Sequence, residues 1–410
     1  MQYGLIGEKL SHSFSKEVHA LIGDYEYALK EIAPDNLTEF ILGKNFKGLN
    51  VTIPYKQSVI PLLDYVDPLA LEIGAVNTVV NSNGKLCGYN TDCLGVQCLI
   101  DNLSLKMKDK KVIILGTGGT SKTVKSVVKN NGAKSIYRVS RQKGKGDITY
   151  DELYNHHTDA HFIINTTPVG MYPNVNALAV ELERFKDLQG VIDVVYNPIQ
   201  TNLVLQAKQL NVPTTGGLYM LVAQAVYAYG YFFNKQVDKK LIDGVYRKIL
   251  NSKRNIVLVG MPSCGKTTVG NILAQELNRL VFDTDELIVN NCNKPIPEIF
   301  ATQGESCFRE QESLAVESVS LKSGVIISTG GGAVLKESNV LALKRNGKVF
   351  FIDRPLENLL ATDDRPLSSD EDKLKKMYAQ RRPIYLACAD VVIDASNSAR
   401  QVAEQIIKEL

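Results

Sequence analysis

The sequence predicts an α/β fold with parallel sheets, and three observations support this prediction. Short apolar runs rich in β-branched residues alternate with amphipathic stretches along the whole chain, a pattern typical of buried parallel strands joined by helices. Two of these runs lead into glycine-rich turns, GTGGTSK from residue 116 and GMPSCGKTT from residue 260, and a doubly wound unit normally carries one such turn. The length of 410 residues allows two to three domains at roughly 150 residues each.

The predicted buried strands are apolar runs that are closed by Gly, Thr, Asn or Asp. They are VIILG at 112, HFIINT at 161, GVIDVVY at 190, NIVLVG at 255, GVIIST at 324 and KVFFID at 348. The polar segment 248–255, KILNSKRN, precedes the fourth run and has the composition of a domain boundary. We therefore place a fusion point near Lys253.

Composition excludes several classes of protein. The chain is 44% hydrophobic and 22% charged with a net charge of +3, which favours a globular protein and gives no basic field for nucleic acid or anionic lipid. Its seven cysteines include no C-x-x-C pair, so neither a disulfide framework nor a zinc ribbon is expected and a cytoplasmic location fits. No secretory signal is readable at the start, and the uncharged stretch Gly216–Phe233 contains Gln224 and several tyrosines, which favours a buried helix over a membrane span.

The first glycine turn follows the apolar run at 112 and has the spacing G-x-G-x-x-S. Backbone N–H groups in such a turn can approach a pyrophosphate at the positive end of the next helix. The next strand ends in basic residues, Arg141, Lys143 and Lys145, where an NAD site would place an acidic one, so NADP is favoured. A glycine-rich connection without a ligand and an exposed basic loop are the alternatives.

Short polar side chains cluster in the first hundred residues. The segment 50–56, NVTIPYK, alternates so that Asn50 and Thr52 are expected to face one way and Val51 and Ile53 the other. SHS at 11–13, GAVNT at 74–78 and GYNTD at 88–92 add hydroxyls, amides and one carboxylate. Such groups suit a polyhydroxylated small molecule.

Taken together, these motifs resemble the shikimate dehydrogenase family. SHS, NVTIPYK, GAVNT, GYNTD, the glycine turn, INTTPVGM at 164, DVVYNP at 193 and MLVAQA at 220 occur in family order over nearly all of residues 1–250. The resemblance implies reduction of 3-dehydroshikimate to shikimate with NADPH. It also implies a substrate domain over 1–100, completed by helices of about 215–250, and a Rossmann NADP domain over 101–214. The family usually has GAGGA in place of GTGGT and an Asn-Arg-Thr type sequence in place of Val139-Ser140-Arg141.

The resemblance assigns roles by motif position. Ser11 and Ser13 take the substrate carboxylate, and the other expected substrate contacts are Thr52, Lys56, Asn77, Asp92, Tyr196 and Gln224. Expected cofactor contacts are Gly116, Gly118, Gly119, Ser140, Arg141 and Thr166. Hydride addition makes an alkoxide, and a lysine with a pKa of about 10.4 can donate its proton there. Lys56 and Asp92 are therefore the expected catalytic pair, although a lysine taken singly is more often a solvated surface residue.

The second glycine turn satisfies G-x-x-x-x-G-K-[ST] and directly follows an apolar run, as the P-loop motif requires. Backbone N–H groups wrap nucleotide phosphates in such a loop, while its lysine reaches the β and γ groups and its hydroxyl binds Mg²⁺. The expected ATP contacts are Gly260, Gly265, Lys266, Thr267 and Thr268, and Thr267 is also the expected Mg²⁺ ligand.

The remaining motifs of the second half resemble the shikimate kinase family over residues 254–410. They are DTD at 283, GESCFR at 304, GGG at 330, RPL at 365 and RRPIY at 381. The resemblance implies that Asp283 is a metal ligand that supports the Mg²⁺ shell. It also implies that shikimate is held by Asp285, Arg309, Gly331, Gly332 and Arg381. It places Arg365 on a lid over the transferring phosphoryl group and gives catalytic roles to Lys266, Asp285 and Arg365. The segment 358–364 is shorter than in the family.

The sequence therefore predicts a bifunctional cytoplasmic enzyme that makes shikimate and phosphorylates it, with small molecules as its partners and no nucleic acid or membrane. Three alternatives stay open. In the first alternative, the first half is a quinate/shikimate dehydrogenase that uses NAD. In the second, it is a non-catalytic shikimate sensor that regulates the kinase. In the third, the second half is a kinase for another small molecule, such as gluconate or a nucleoside monophosphate. The oligomeric state is not predicted.

Overall fold

The computed structural model of the chain describes residues 1–10, 13–359 and 371–410. These residues form two compact units, Met1–Leu250 and Asn251–Leu410. The first unit contains two sheets and the second unit contains one. Each of the six apolar runs contains a strand, which confirms the predicted α/β class.

Six strands before residue 90 form the first sheet: β1 (Tyr3–Gly7), β2 (Tyr27–Glu31), β3 (Gly48–Val51), β4 (Tyr65–Val66), β5 (Thr78–Ser82) and β6 (Lys85–Tyr89). Their order is β2-β1-β3-β5-β6-β4. The helices among them are α1 (Ser15–Ile22), α2 (Leu37–Leu42), α3 (Pro68–Ile73) and α4 (Thr91–Asn102). β1 and β3 pair in parallel, so the loop after β1 and the segment after β3 emerge at the same edge.

The predicted alternation along residues 50–53 is wrong at its last residue. Val51 is 1% exposed, as expected, but Ile53 is 75% exposed. β3 ends at Val51, and the backbone then turns, with the Tyr55 amide donating to the Thr52 carbonyl at 2.9 Å. Ile53 therefore lies at the rim of the sheet and not in its apolar face.

Six parallel strands form the second sheet: β7 (Lys111–Leu115), β8 (Ser135–Ser140), β9 (Ile148–Thr149), β10 (Phe162–Asn165), β11 (Gly190–Asp193) and β12 (Thr214–Thr215). Their order is β12-β11-β10-β7-β8-β9. The helices that follow β7 are α5 (Gly119–Asn130), α6 (Tyr150–His156), α7 (Asn202–Gln209), α8 (Leu218–Phe233) and α9 (Lys239–Lys253).

The uncharged stretch predicted to be a buried helix is α8, and most of its side chains are buried. It packs against α1 and α4, so it brings the chain back to the first sheet. A single apolar core joins residues of α1, α4, α5, α8 and α9 to β7, β10 and β11. Within the described part of the chain, no helix has the length and apolarity needed to cross a membrane.

Five parallel strands form the third sheet: β13 (Asn255–Val259), β14 (Val281–Asp283), β15 (Ile326–Ser328), β16 (Gly347–Asp353) and β17 (Val391–Asp394). Their order is β14-β15-β13-β16-β17. The helices of this unit are α10 (Lys266–Leu277), α11 (Thr284–Cys292), α12 (Ile296–Ser320), α13 (Glu337–Asn346), α14 (Glu371–Cys388) and α15 (Ala399–Lys408). The carboxyl ends of β13, β14 and β15 lie side by side, which brings the P-loop, Asp283 and the Gly330–Gly332 run together.

Candidate active sites

A cleft of about 510 Å³, the first cleft, lies in the first unit at the carboxyl ends of β1 and β3. Seven of the eight predicted substrate residues line it, namely Ser13, Thr52, Lys56, Asn77, Asp92, Tyr196 and Gln224. The eighth, Ser11, lies outside the described residues. The fold thus gathers short polar side chains from segments that are far apart in sequence.

The centre of charge in the first cleft is the pair formed by Lys56 and Asp92. The Lys56 Nζ donates to the Asp92 Oδ2 at 2.6 Å, and the two side chains are 21% and 9% exposed. Asp92 lies in the first turn of α4, whose N-terminal cap is the Asn90 side chain. The helix dipole favours a carboxylate at this position, so the fold holds the Lys56 Nζ and the Asp92 carboxylate together at the wall of the cleft.

A network of neutral groups fixes the amides that line the first cleft. The Thr91 amide donates to the Asn77 Oδ1 at 2.7 Å, which leaves the Asn77 Nδ2 to donate to the Gln224 Oε1 at 3.0 Å. Behind them, Asn50 accepts from the Tyr27 hydroxyl at 2.7 Å and donates to the Thr78 hydroxyl at 3.2 Å. The amides are therefore oriented before a substrate arrives.

His19 also lines the first cleft, although the sequence analysis gave it no role. Its ring stacks on Tyr27 with 3.7 Å between ring centroids and hydrogen-bonds the Tyr25 hydroxyl. Burial lowers the pKa of the His19 imidazole to about 3, so the ring is neutral near pH 7. The available signal was its place in α1, directly after the SHS motif.

The predicted cofactor residues Gly116, Gly118, Gly119, Ser140, Arg141 and Thr166 do not line the first cleft, although Thr120 of the same glycine turn does. Gly116 has φ +104°, and a Cβ there would lie 2.9 Å from the Thr166 Oγ1, so this turn needs glycine. Gly118 and Gly119 have open space around them where α5 begins. Ser140 and Arg141 come at and after the end of β8, the neighbour of β7.

A buried hydrogen-bonded cluster holds the loops that follow β10 and β11. Asp193 accepts from the Thr201 hydroxyl at 2.6 Å and from the Asn165 Nδ2 at 3.0 Å. Burial raises the pKa of Asp193 to about 6, against the opposing effect of these donors. The loop after β11 carries Tyr196 into the first cleft, so this cluster positions that side chain.

A second cleft, of about 530 Å³, lies in the second unit at the carboxyl ends of β13, β14 and β15. Ten predicted residues line it: Gly265, Lys266, Thr267, Thr268, Asp283, Asp285, Arg309, Gly331, Gly332 and Arg381. Gly260 lies behind the wall, where its carbonyl accepts from the Lys266 Nζ at 3.0 Å. Arg365 lies outside the described residues.

The P-loop holds its functional groups close together. The Lys266 Nζ donates to the Gly260 and Met261 carbonyls at 3.0 and 2.9 Å. The Thr267 hydroxyl donates to the Asp283 carboxylate at 3.0 Å. A hydroxyl beside a carboxylate is the kind of oxygen donor set that Mg²⁺ takes next to nucleotide phosphates, so Thr267 and Asp283 fit a magnesium ion.

Arginine and carboxylate groups form the other wall of the second cleft. Arg309 donates to Glu312 at 2.9 Å and to Glu305 at 3.0 Å. Glu312 is only 2% exposed, and its Oε1 has no hydrogen-bond partner. Burial raises the pKa of Glu312, while Arg309 lowers it. This wall therefore presents a fixed guanidinium to an anionic ligand.

The glycine run 330–332 has no side chains because its neighbours leave no room for them. A Cβ on Gly330 would lie 2.4 Å from the Asp285 Oδ1, and a Cβ on Gly332 would lie 1.9 Å from the Arg309 Nη1. The Gly331 carbonyl accepts from the buried Tyr385 hydroxyl at 2.5 Å. The run thus lets Asp285 and Arg309 approach the cleft against bare backbone.

Two family models match the chain. That of shikimate kinase matches residues 262–410, and that of the shikimate dehydrogenase substrate binding domain matches residues 5–79. Shikimate dehydrogenase (NADP(+)) of Clostridium beijerinckii is 40% identical over 262 residues, which cover 60% of this chain and 96% of that protein. The corresponding enzyme of Halothermothrix orenii is 40% identical and covered to 88% of its length.

Solved structures resemble the same part of the chain. A chorismate mutase/shikimate 5-dehydrogenase fusion protein from Clostridium acetobutylicum matches with a TM-score of 0.58 and 36% identity, over 60% of this chain and 96% of that one. Shikimate 5-dehydrogenase from Thermus thermophilus, solved with NADP(H) and shikimate, matches with a TM-score of 0.55 and 25% identity, over 60% and 99% of the two chains.

Proposed function

This chain belongs to the shikimate dehydrogenase family and carries a shikimate kinase domain, and from that premise we propose that it is a bifunctional enzyme of the shikimate pathway. The first unit reduces 3-dehydroshikimate to shikimate with NADPH. The second unit transfers the γ-phosphoryl group of MgATP to the 3-hydroxyl of shikimate. One observation supports the proposal most directly. The first cleft gathers the motif residues of shikimate dehydrogenases, the second cleft gathers those of shikimate kinases, and shikimate is the product of the first family and the substrate of the second.

We divide the chain into a substrate domain over 1–100, completed by about 215–250, an NADP domain over 101–214 and a kinase domain over 254–410. The sheets support this division, because the strands of the first sheet end at Tyr89, those of the second lie between Lys111 and Thr215, and those of the third begin at Asn255.

In the dehydrogenase, Lys56 donates a proton to the oxygen of the substrate ketone. NADPH supplies the hydride when bound, and the charge that develops on that oxygen is stabilised by the ammonium. Asp92 holds the Lys56 Nζ in place. Asn77 and Gln224, oriented by the neutral network, bind substrate hydroxyls, and Ser13 with Ser11 binds the carboxylate.

The glycine turn and the end of β8 fit NADP(H). The open space at Gly118 and Gly119 leaves the N-terminus of α5 accessible to a pyrophosphate. Arg141 and the basic residues after it are exposed beyond β8, where a ribose 2′-phosphate is expected. Thr166 supports the turn through its hydroxyl, which donates to the Leu115 carbonyl at 2.6 Å.

In the kinase, the P-loop backbone and Lys266 bind the nucleotide phosphates, and Thr267 with Asp283 binds Mg²⁺. Asp285 positions the 3-hydroxyl of shikimate, which places the attacking oxygen in line with the phosphoryl group. Arg309 and Arg381 bind the shikimate carboxylate, since the guanidinium fork matches two carboxylate oxygens. Arg365 as a lid residue stays a prediction, as do the cytoplasmic location and the lack of nucleic-acid and membrane partners.

The test supplies the purified protein with 3-dehydroshikimate, NADPH and MgATP and follows the products by mass spectrometry. We expect shikimate 3-phosphate to accumulate, and shikimate alone to accumulate when ATP is left out. Shikimate formation without phosphorylation would refute the kinase assignment. Phosphorylation of added shikimate without NADPH oxidation would favour the sensor alternative, and equal turnover with NAD and NADP would favour the quinate/shikimate alternative.

A further inference from the structure

Arg354 comes directly after β16, the strand that lies beside the P-loop strand. β13 and β16 pair in parallel, with Val259 opposite Phe351, so both strands end at the same edge of the sheet. The two ends are in close contact, because a Cβ on Gly260 would lie 2.8 Å from the Ile352 carbonyl oxygen. Arg354 therefore leaves its strand next to the phosphate-binding loop.

The Arg354 guanidinium is held against the far end of that loop. Its Nε donates to the Asn358 carbonyl at 3.0 Å, and its Nη1 lies 4.0 Å from the position of a Cβ on Gly265. Arg354 does not line the second cleft. The guanidinium thus lies beside Gly265, a residue of the cleft lining, without being part of that lining itself.

The carboxylate that precedes Arg354 in the sequence is already paired with another arginine. The adjacent Asp353 accepts from the Arg382 guanidinium at 2.7 Å. In residues 1–10, 13–359 and 371–410, no carboxylate lies within ion-pair distance of Arg354. Arg354 is thus a half-buried cation beside the phosphate-binding loop, and a guanidinium in such a place suits an anion.

We propose that Arg354 binds the α-phosphate of the kinase nucleotide, an inference that rests on the kinase function proposed above. Lys266 and Thr267 serve the β- and γ-phosphates from the cleft side of the loop. The remaining phosphate is assigned to Arg354, whose planar fork is fixed beside Gly265 by its bond to the Asn358 carbonyl. Arg354 is a binding residue, and it takes no part in the transfer itself.

The test compares Arg354→Gln and Arg354→Lys with the wild-type protein in the kinase assay. We expect Arg354→Gln to raise the KM for MgATP about tenfold, the effect of losing a charge-assisted hydrogen bond, and Arg354→Lys to raise it less. The KM for shikimate stays unchanged, which also reports that the kinase unit is folded. Arg400→Gln is the matched control, because that arginine is 73% exposed on α15, and it leaves both constants unchanged.

Inhibition by AMP and by adenosine locates the contact, because AMP adds only the α-phosphate to adenosine. We expect Arg354→Gln to weaken inhibition by AMP about tenfold and to leave inhibition by adenosine unchanged. An equal loss for both inhibitors, or a KM for MgATP within about twofold of the wild-type value, would overturn the inference. If the wild-type protein forms no ADP with shikimate, the proposed kinase function fails instead.

Discussion

The two clefts have nearly the same volume, about 510 and 530 Å³, but they are built from different groups. In the first cleft the ion pair of Lys56 and Asp92 is self-compensating, and hydroxyls and amides make up most of the remaining polar lining. In the second cleft guanidinium and carboxylate groups dominate. If shikimate occupies both, the same carboxylated ring is bound once by oriented dipoles and once by formal charges.

The two clefts achieve their specificity by different means. Amides such as Asn77 are useful only when their orientation is fixed, and the Thr91 amide fixes it. A buried charge needs a partner of opposite charge, because removing one member of the ion pair leaves the other unpaired at a cost of several kcal/mol. Glu312 and Arg309 form such a pair. The first cleft is therefore sensitive to geometry, and the second to charge balance.

The largest effect on activity is expected when Lys56, at the centre of the first cleft, is replaced. Lys56→Ala removes the proton donor and leaves Asp92 without its partner, so we expect NADPH oxidation to fall by about 10³-fold. ADP formation from added shikimate should stay at the wild-type rate, because Lys56 belongs to the first unit. Stopped assays of both activities on one preparation measure the two effects.

A control substitution shows whether the loss in Lys56→Ala comes from the first cleft itself or from losing any lysine–aspartate pair of the first unit. Lys44 also pairs with an aspartate of the first sheet, Asp64, at 3.4 Å, but both side chains are exposed and neither lines the first cleft. Lys44→Ala should keep full dehydrogenase activity, since exposed pairs contribute little. A comparable loss in both variants would contradict the role of Lys56, and loss of kinase activity in folded Lys56→Ala would contradict independence of the two sites.

In the second cleft, the next largest effect is expected where a glycine makes room for an arginine. Gly332→Ala places a methyl group 1.9 Å from the present position of the Arg309 Nη1, so the guanidinium must move from its place beside Glu312. It then no longer meets the substrate carboxylate. We expect the KM for shikimate in the kinase assay to rise at least about tenfold, with the KM for MgATP unchanged.

A double-variant cycle shows whether Gly332→Ala acts through Arg309. Arg309→Gln removes the guanidinium, so adding Gly332→Ala to it should have no further effect on the KM for shikimate. Additive losses would mean that the methyl group damages the cleft by another route.

The sequence predicted the α/β fold and most of the lining of both clefts, because strands and glycine turns have local signatures and the family motifs are short. Contacts between distant residues have no such signature. Asn77 and Gln224 meet across 147 positions, and nothing local places Asn165 beside Asp193 or keeps carboxylates of the described residues away from Arg354. The error at Ile53 had a similar cause, since the end of β3 is set by its neighbours.

The smallest expected effect is that of salt on the KM for shikimate. It allows the most direct comparison, because shikimate is proposed to bind in both clefts. The dehydrogenase binds it in the reverse reaction at saturating NADP⁺, and the kinase binds it at saturating MgATP. Between about 50 and 500 mM NaCl, screening weakens attraction between separate charges. The KM for shikimate should therefore rise about threefold in the kinase, through Arg309 and Arg381, and change less than about 1.5-fold in the dehydrogenase.

Two further charged residues, Glu8 and Lys9, belong to the described lining of the first cleft, and of these only the cation Lys9 would attract the carboxylate of shikimate. It is exposed and lies at the rim of that cleft, so a contribution from its ammonium would raise the dehydrogenase KM with salt, and Lys9→Gln would abolish that rise. Equal salt dependence of the two activities in Lys9→Gln would instead contradict the contrast between dipoles and charges. A flat dehydrogenase response in both proteins would place the carboxylate of shikimate among the neutral donors near Ser13, because the charges of Lys56 and Asp92 cancel at 2.6 Å.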